Sequence, residues 1–507
     1  MADSAVHHDE PRPRFPLWSF REDVYLETID PPGETVVVHS RWEDTTLPRP
    51  RPAVLEAMRR MSLGPISLDN VIRDDTDRRQ LARLLDRVPH LVVRSFGVDR
   101  EQPLVSVVPL TPQARFRLPT GPLTEPVRLS RFALIRSDGN SFVVESPLSL
   151  HRVILHRPEA MAQLGPLMRP VDPARVAPAT LVLIHHLMAA GMVVEAASSD
   201  AFRPAEFAED SDPVLATWRP VDLMFHTRST LGRHDHDFGA TYPAGERGNV
   251  EPTVKPPLTR HPIRLARPKW DDLVADDTPL TVAIEASQSY RHYATEPVTV
   301  DQLGELLYRT ARVRSLGRNA NEPGGAPEEP AASDRPYLAG GESYELEVYL
   351  TVDRCAGLTR GVYHYDPLAH ALEPIEVRSA DVDELLGTAR VAANLSTSPP
   401  SLLTITARFR RLSWKYDGLS YSLVLKNVGA LTQTLTLVAT AMGLGTCRLD
   451  SGDVETSPRV FGLDWRAEST VGEFVVGHPA HRPEEPVPGR RPVNDADWPA
   501  RARTGLL

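Results

Sequence analysis

The C-terminal half of the chain alternates between strand-like and helix-like patterns of hydrophobic residues. Every second residue is apolar over residues 345–352, which predicts a strand whose apolar side chains share one face. Apolar residues recur at intervals of three and four over residues 299–311 and 421–442, which predicts two amphipathic helices. Gly443 and Gly445 provide a stop for the longer helix. Further strands are expected over residues 361–366, 402–409 and 473–477.

The N-terminal half shows weaker patterns that predict two small units of mixed helix and strand. The first unit covers residues 17–115 and combines strands with two short helices. The second covers residues 128–200 and contains a hairpin whose turn is Asp138-Gly139-Asn140. We therefore expect an α+β protein in which two winged-helix-like units precede a larger C-terminal unit.

Composition places the boundaries between these units. Residues 1–16 are polar and rich in proline and histidine, so we expect a disordered tail. Residues 201–274 are poor in strand patterns and rich in Gly, Pro and Arg, which is typical of a structured connector. The third unit then covers residues 275–485, and residues 486–507 form a C-terminal tail. Proline accounts for 48 of the 507 residues, against a usual share of about 5%, which favours stiff linkers.

The charge and the apolar content exclude several classes of protein. The net charge is −10, so a broad cationic surface for nucleic acid is not expected. The first ten residues carry acids and no apolar run, which argues against a signal peptide. The most apolar window, residues 181–194, is shorter than the roughly 20 residues that a membrane-spanning helix needs. Two cysteines, Cys355 and Cys447, fit a reducing cytosol, so we expect a cytoplasmic protein.

A lysine and a tyrosine between the strand at 402–409 and the long helix are candidates for acid–base chemistry. Only four of the 57 basic residues are lysines, and Lys415-Tyr416 lies where the end of an element can present side chains to a cavity. Lysine is the cation that burial can turn into a base, and a neighbouring tyrosine can relay a proton or hold the amine. On spacing alone, a surface lysine beside a packing tyrosine is the more ordinary interpretation.

Two further pairs could bind a cofactor. Ser289 and Arg291 precede the helix at 299–311, and a hydroxyl with a guanidinium fork can bind a phosphate, although on these residues alone a solvated helix start is the more ordinary interpretation. Gly340 and Gly341 precede the strand at 345–352 and would let the backbone approach a flat ligand.

Other motifs are less informative. Gly443-Leu444-Gly445 follows a helix and lacks a third glycine, so it is not a dinucleotide fingerprint. The sequence also has no Walker-type phosphate loop, which favours a mononucleotide if a nucleotide-like cofactor binds. His234-Asp235-His236-Asp237 lacks a distant third ligand, so no metal site is predicted. A serine-hydrolase elbow of the form G-x-S-x-G is absent from the sequence.

Four separated segments together resemble the SagB-type peptide dehydrogenases, the azoline oxidases of the FMN-dependent nitroreductase superfamily, and occur in that family's order. The segments are DLMFHTRSTLGRHDHDFGATY, SYRHYATEPVTVDQLGELLYRT, RPYLAGGESYELEVYLTV and SWKYDGLSYSLVLKNVGALTQTLTLVATAMGLGTC. The resemblance covers about residues 218–480, and residues 129–156 resemble the family's N-terminal region.

The resemblance implies an FMN enzyme that oxidises thiazoline or oxazoline rings of a ribosomally made peptide. It also implies a nitroreductase-like domain, with a central antiparallel or mixed sheet flanked by helices, and a homodimer with flavin at the subunit interface. The family's catalytic pair falls on Lys415 and Tyr416. The implied cofactor-binding residues are Ser289, Arg291, Gly340, Gly341, Gly445 and Arg448. Arg448 is included because it stands where the family has a glycine-rich stretch.

The resemblance also implies partners. We expect the two N-terminal units to bind the leader of a precursor peptide at a sheet edge, or a cyclodehydratase, although they could equally serve only to stabilise the dimer. Two other functions stay open at this point. One is an NAD(P)H-dependent reductase of nitro compounds or quinones, and the other is a non-catalytic scaffold in a peptide-modifying complex.

Overall fold

The chain forms two compact units, Met1–His236 and Asp237–Leu507. The computed structural model describes residues 15–29, 35–97, 102–200, 203–237, 239–243, 251–317, 332–450, 452–480, 495 and 497–505. Most of the predicted tail over residues 1–16, and part of the one over 486–507, lie outside the described residues. No helix in these ranges is long and apolar enough to cross a bilayer.

The N-terminal unit contains both helices and strands. Its strands are β1 (Phe15–Phe20), β2 (Tyr25–Ile29), β3 (Thr35–His39), β4 (Thr45–Pro48), β5 (Val92–Gly97), β6 (Pro103–Pro109), β7 (Val127–Leu129), β8 (Leu134–Asp138), β9 (Ser141–Glu145), β10 (His151–Leu155), β11 (Val193–Glu195), β12 (Ser198–Asp200) and β13 (Arg203–Glu206). Its helices are α1 (Pro52–Leu63), α2 (Asp75–Leu85), α3 (Pro158–Leu164), α4 (Pro178–Ala189), α5 (Ala208–Ser211) and α6 (Pro220–Arg228).

A six-stranded sheet in the order β1-β5-β6-β10-β9-β8 runs through this unit. It joins strands from both of the predicted N-terminal units. Two separate hydrophobic cores accompany it, one around α1 and α2 and the other around α3 and α4. The predicted hairpin is confirmed, because β8 and β9 pair with Asp138 opposite Ser141 and Gly139 takes a positive φ of 56° in the turn.

The C-terminal unit is built around a second sheet. Its strands are β14 (Ile263–Arg264), β15 (Val298–Thr299), β16 (Ser315–Gly317), β17 (Ala332–Asp334), β18 (Leu346–Val352), β19 (Cys355–Ala356), β20 (Gly361–Asp366), β21 (Ala371–Ile375), β22 (Ser401–Arg408), β23 (Gly445–Leu449) and β24 (Glu468–Gly477). Its helices are α7 (Trp270–Asp276), α8 (Leu280–Ala286), α9 (Val300–Ala311), α10 (Ser379–Ala392), α11 (Arg410–Ser413), α12 (Ser420–Ala441), α13 (Thr456–Phe461) and α14 (Trp498–Gly505).

Seven strands form this sheet in the order β14-β21-β20-β18-β22-β24-β23, and all neighbouring pairs are antiparallel. The apolar face of β18 packs with α9 and α12 in one core. Residues of α10 and α13 pack against the opposite face in another. Helices on both faces of a central antiparallel sheet are the predicted arrangement, so the α+β fold class is confirmed.

The two best-patterned helices lie where the sequence places them. At the start of α9, the Thr299 hydroxyl accepts a hydrogen bond from the Gln302 amide (3.1 Å), and the Gln302 side chain accepts one from the Thr299 amide (2.9 Å). Helix α12 has 22 residues, which corresponds to about 33 Å at 1.5 Å per residue. Gly443, with a φ of 67°, then lets the chain turn into β23.

Candidate active site

Lys415 and Tyr416 lie in the turn between α11 and α12. Their backbone amides both donate to the Leu412 carbonyl, at 3.0 Å and 2.9 Å, so the end of α11 fixes the backbone of the pair. The Lys415 carbonyl accepts a hydrogen bond from the amide of Thr241 (2.9 Å). Lys415 is only 8% exposed, and its Nζ lies 5.8 Å from the centre of the Tyr416 ring. The lysine is therefore a buried residue rather than a surface one.

The predicted glycine pair packs directly against this tyrosine. Gly341 has a φ of 65°, in the left-handed region, and a Cβ at this position would clash with the Tyr416 hydroxyl. A Cβ at Gly340 would lie 2.9 Å from Cδ2 of Leu423, in the first turn of α12. Position 341 therefore requires glycine, whereas a side chain at 340 would have to displace the end of the Leu423 side chain. The structure brings Lys415, Tyr416, Gly340 and Gly341 together.

Two buried polar side chains, Asn427 and Glu345, are linked by hydrogen bonds to the backbone of Gly340. The Gly340 amide donates to Oδ1 of Asn427 (2.8 Å), and Nδ2 of Asn427 donates to the Glu345 carboxylate (3.0 Å and 3.2 Å). Burial of Glu345 raises the pKa of its carboxyl, although the hydrogen bond from Asn427 opposes this. The role of Asn427 and Glu345 in holding this turn was not predicted from the sequence.

Arg411 anchors the other end of the glycine turn, by which we mean residues 340–344. Its Nε and Nη2 both donate to the Ser343 carbonyl, at 3.1 Å and 2.8 Å, and its Nη1 donates to the Glu251 carbonyl at 2.9 Å. Burial lowers the pKa of this guanidinium to about 10, so it stays a cation at neutral pH. Because Arg411 belongs to α11, which directly precedes Lys415 and Tyr416, it connects the segment that carries this pair to the glycine turn.

The other predicted cofactor residues form a second cluster at the edge strand β23. The Tyr290 amide donates to the Thr446 carbonyl (2.7 Å), which places Ser289 and Arg291 beside the start of β23. Both residues are exposed. A Cβ at Gly445 would lie 3.1 Å from the ring of Tyr290, so this position is tightly packed. Arg291 also donates from Nε to the Ala393 carbonyl (3.2 Å).

Arg448 lies three residues further along β23. Its side chain is 47% exposed, and its Nε is 3.0 Å from a carboxylate oxygen of Asp450. The Arg448 guanidinium therefore has an acidic partner within the chain, and its proposed contact with a phosphate stays a prediction.

The two clusters lie at opposite ends of α12. Gly340 contacts the first two turns of this helix through Leu423 and Asn427, whereas Gly445 follows directly after the last turn. From Asn427 to Ala441, the last residue of α12, the helix rises about 21 Å at 1.5 Å per residue. The structure thus brings together the residues within each cluster, one near the start of α12 and the other just beyond its end.

The His234–Asp237 motif lies in a different environment. The Asp235 carboxylate is buried and forms ion pairs with Arg21 and Arg152, both at 3.2 Å. These pairs give Asp235 a structural role within the N-terminal unit. Among the residues that the structure describes, no three His, Cys, Asp or Glu side chains are close enough to hold a metal ion.

Two segments of the chain match models of known protein families. Residues 284–478 match the model of the nitroreductase family, and residues 127–235 match that of the cyanobactin oxidase ThcOx. The C-terminal unit therefore contains a segment similar to the nitroreductase family. The resemblance to the oxidases of this superfamily is confirmed.

The individual relatives include one protein named as a nitroreductase and two named as processing proteins. The chain is 28% identical to MJ1384 of Methanocaldococcus jannaschii over 159 residues, which cover 31% of this chain and 72% of the relative. It is 31% identical to the trifolitoxin-processing protein TfxB of Rhizobium leguminosarum bv. trifolii, over 27% of this chain and 38% of TfxB. It is 32% identical to the microcin B17-processing protein McbC of Escherichia coli, over 23% of this chain and 44% of McbC. The aligned segments thus span less than half of each of these two processing proteins.

Proposed function

We propose that this chain is an FMN-dependent dehydrogenase that oxidises thiazoline or oxazoline rings of a ribosomally made peptide to thiazoles or oxazoles. The observation that carries the proposal is the buried Lys415 beside Tyr416, packed against the Gly340–Gly341 turn. The similarity to two peptide-processing proteins and to a cyanobactin oxidase supports a peptide substrate.

The residues at both clusters fit FMN. Ser289 and Arg291 offer an exposed hydroxyl and an exposed guanidinium, which suit a phosphate monoester. At the other cluster, the backbone of Gly341 is exposed, so a flat ring could lie against it. When bound, FMN supplies the two-electron acceptor that aromatisation of the ring requires.

The protein's own residues would orient the azoline and move one proton. The ring carbon that bears the peptide carbonyl is acidic, since it lies between a C=O and a C=N group. We assign the removal of its proton to Nζ of Lys415, with Tyr416 holding the amine or relaying the proton. Burial of Lys415 limits the access of bulk water, which would otherwise compete for that proton.

Two copies of the chain would complete each site. Because the phosphate cluster and the Lys-Tyr cluster lie at opposite ends of α12, we propose a homodimer in which each FMN contacts both chains. The exposed side of α12 supports this arrangement: Tyr421 is 46% exposed, Leu425 is 43% exposed and Gly429 faces open space. A glycine between apolar residues allows a second helix to approach closely.

Partners beyond the dimer are part of the proposal. We propose that the N-terminal unit binds the leader of the precursor peptide, with a cyclodehydratase supplying the azolines. Binding of leader peptide to the full-length chain, measured by fluorescence anisotropy, tests this step. An affinity weaker than high micromolar would favour a role in dimer stability alone.

The proposed activity can be tested on purified protein. The visible spectrum should show bound flavin, and incubation with an azoline-containing peptide should lower its mass by two hydrogen atoms per ring. Rapid bleaching of the flavin by NADPH without peptide, and no change in peptide mass, would instead indicate a nitro or quinone reductase. A colourless protein that cannot be reconstituted with FMN would indicate a scaffold.

A further inference from the structure

The glycine turn beside Tyr416 contains three residues whose φ angles are positive, a conformation that is unfavourable for residues other than glycine. Gly341, Glu342 and Tyr344 have φ values of 65°, 53° and 43°, all in the left-handed region. Glycine tolerates this region, but Glu342 and Tyr344 carry a Cβ and are strained there. Residues in such conformations persist only where the surrounding structure fixes them, so the anchors of this turn determine its shape.

The anchor at the start of the turn has a defined hydrogen-bond polarity. Asn427 is 3% exposed and Glu345 is fully buried. The Gly340 amide needs an acceptor and the Glu345 carboxylate needs a donor, and the side-chain amide of Asn427 supplies both at once. An aspartate at 427 would keep the acceptor for Gly340 but would place two carboxylates against each other.

The glycine turn is in direct contact with Tyr416 of the proposed catalytic pair. A hydrogen bond joins Asn427 to Gly340, the next residue is Gly341, and Gly341 contacts the Tyr416 hydroxyl. A shift of the turn would therefore change the position of the Tyr416 ring. Because Lys415 is the preceding residue, its position relative to the ring would change as well. Displacements of about 1 Å at a catalytic group can cost roughly 10²-fold in rate.

We propose that Asn427, oriented by Glu345, is a positioning residue that fixes the Gly340–Gly341 turn against Tyr416 and so sets the geometry of the Lys415–Tyr416 pair. This inference rests on the proposed function and names a residue outside the predicted site.

The test reverses the polarity of the hydrogen bond between the two residues. Asn427→Asp should lower kcat by about 10²-fold while changing KM little, because the carboxylates repel and the turn shifts. The double variant Asn427→Asp with Glu345→Gln should recover at least tenfold, since the new glutamine can donate to the new aspartate. Glu345→Gln alone should stay close to wild type, because its amide oxygen still accepts from Asn427.

A second readout needs no flavin and no substrate. In flavin-free full-length protein, amide hydrogen exchange of residues 338–344 should be faster in Asn427→Asp and return to the wild-type rate in the double variant. Thr432→Val is the matched control, since Thr432 is also buried on α12 but donates only to backbone carbonyls of its own helix. This control should leave the exchange of residues 338–344 unchanged.

The outcomes separate the inference from the proposed function. If Asn427→Asp folds and keeps both the wild-type kcat and the wild-type amide exchange, the positioning role is refuted. It is also refuted if the double variant folds but recovers neither kcat nor the wild-type exchange rate. If Asn427→Asp does not fold, the double variant carries the same test. A wild-type protein that binds no FMN and oxidises no azoline would refute the proposed function, while the exchange data would still decide whether Asn427 anchors the turn.

Discussion

The hydroxyl group of Tyr416 occupies the space in which a side chain at Gly341 would begin. The contact joins two segments about 75 residues apart in the chain, one before β18 and one before α12. It explains how a glycine turn and a lysine–tyrosine pair can belong to one site.

Gly341→Ala should destabilise this contact. An alanine at a φ of 65° is strained, and its Cβ would press on the Tyr416 hydroxyl, so we expect a loss of about 1–3 kcal/mol in the free energy of unfolding. Adding Tyr416→Phe should recover part of the loss, because the hydroxyl makes the closest approach. Denaturant unfolding measures both variants, and an alanine variant as stable as wild type would contradict the tight packing.

Replacement of Lys415 should separate cofactor binding from chemistry. Lys415→Ala should retain bound flavin but lose azole formation by about 10²- to 10⁴-fold, because a positioned base contributes that much. Lys415→Arg is the matched control for charge, since it keeps a cation that does not give up its proton in proteins. It should be nearly as inactive as the alanine variant. Wild-type turnover in either variant would remove Lys415 from the mechanism.

The periodicity of the sequence was enough to predict the elements that carry the Lys-Tyr cluster. The apolar faces of β18 and α12 are continuous, and each element lies within one or two residues of its expected bounds. Helix α10 was missed, although Val382, Leu385, Leu386 and Ala389 have helical spacing and are buried. Attention to that stripe would have found it.

Contacts between distant segments could not be predicted in the same way. The alternation in β18 suggests that its polar face meets water, yet Glu347 is buried with Arg408 at 2.9 Å and His364 at 3.2 Å. Ion pairs from neighbouring strands compensate for the lost solvent, and no local pattern shows which strands are neighbours. The separation of the two cofactor clusters along α12 depends on strand order for the same reason.

A mixed dimer should show whether two chains share a site. Lys415→Ala and Arg291→Ala each damage a different cluster, so a heterodimer would contain one site with both changes and one intact site. When the two inactive variants are mixed and allowed to exchange subunits, activity should return to about one quarter of wild type, since half of the dimers are mixed. Neither variant should recover when incubated alone. No recovery in a sample that contains heterodimers would place the whole site within one chain.

Glu473 should make the stability of the C-terminal unit depend on pH. This residue of β24 is buried, and burial, together with the Asp453 carboxylate, raises its pKa to about 7 from 4.5. The folded state then binds a proton more tightly than the unfolded state, so stability falls as the pH rises from about 4.5 to about 7 and stays lowered above that range. Glu473→Gln should remove this loss and raise the free energy of unfolding by up to about 3 kcal/mol at pH 8.

The comparison with an exposed glutamate identifies the cause. Glu473→Gln and wild type should differ little near pH 4.5, where Glu473 is protonated in the folded state and costs nothing. Glu455→Gln changes an exposed carboxylate nearby and should give the same unfolding curve as wild type at both pH values. Denaturant unfolding at pH 4.5 and pH 8 measures all three proteins. Equal stability of Glu473→Gln and wild type at pH 8 would mean that Glu473 ionises without penalty, and that solvent or a cation reaches it inside the sheet.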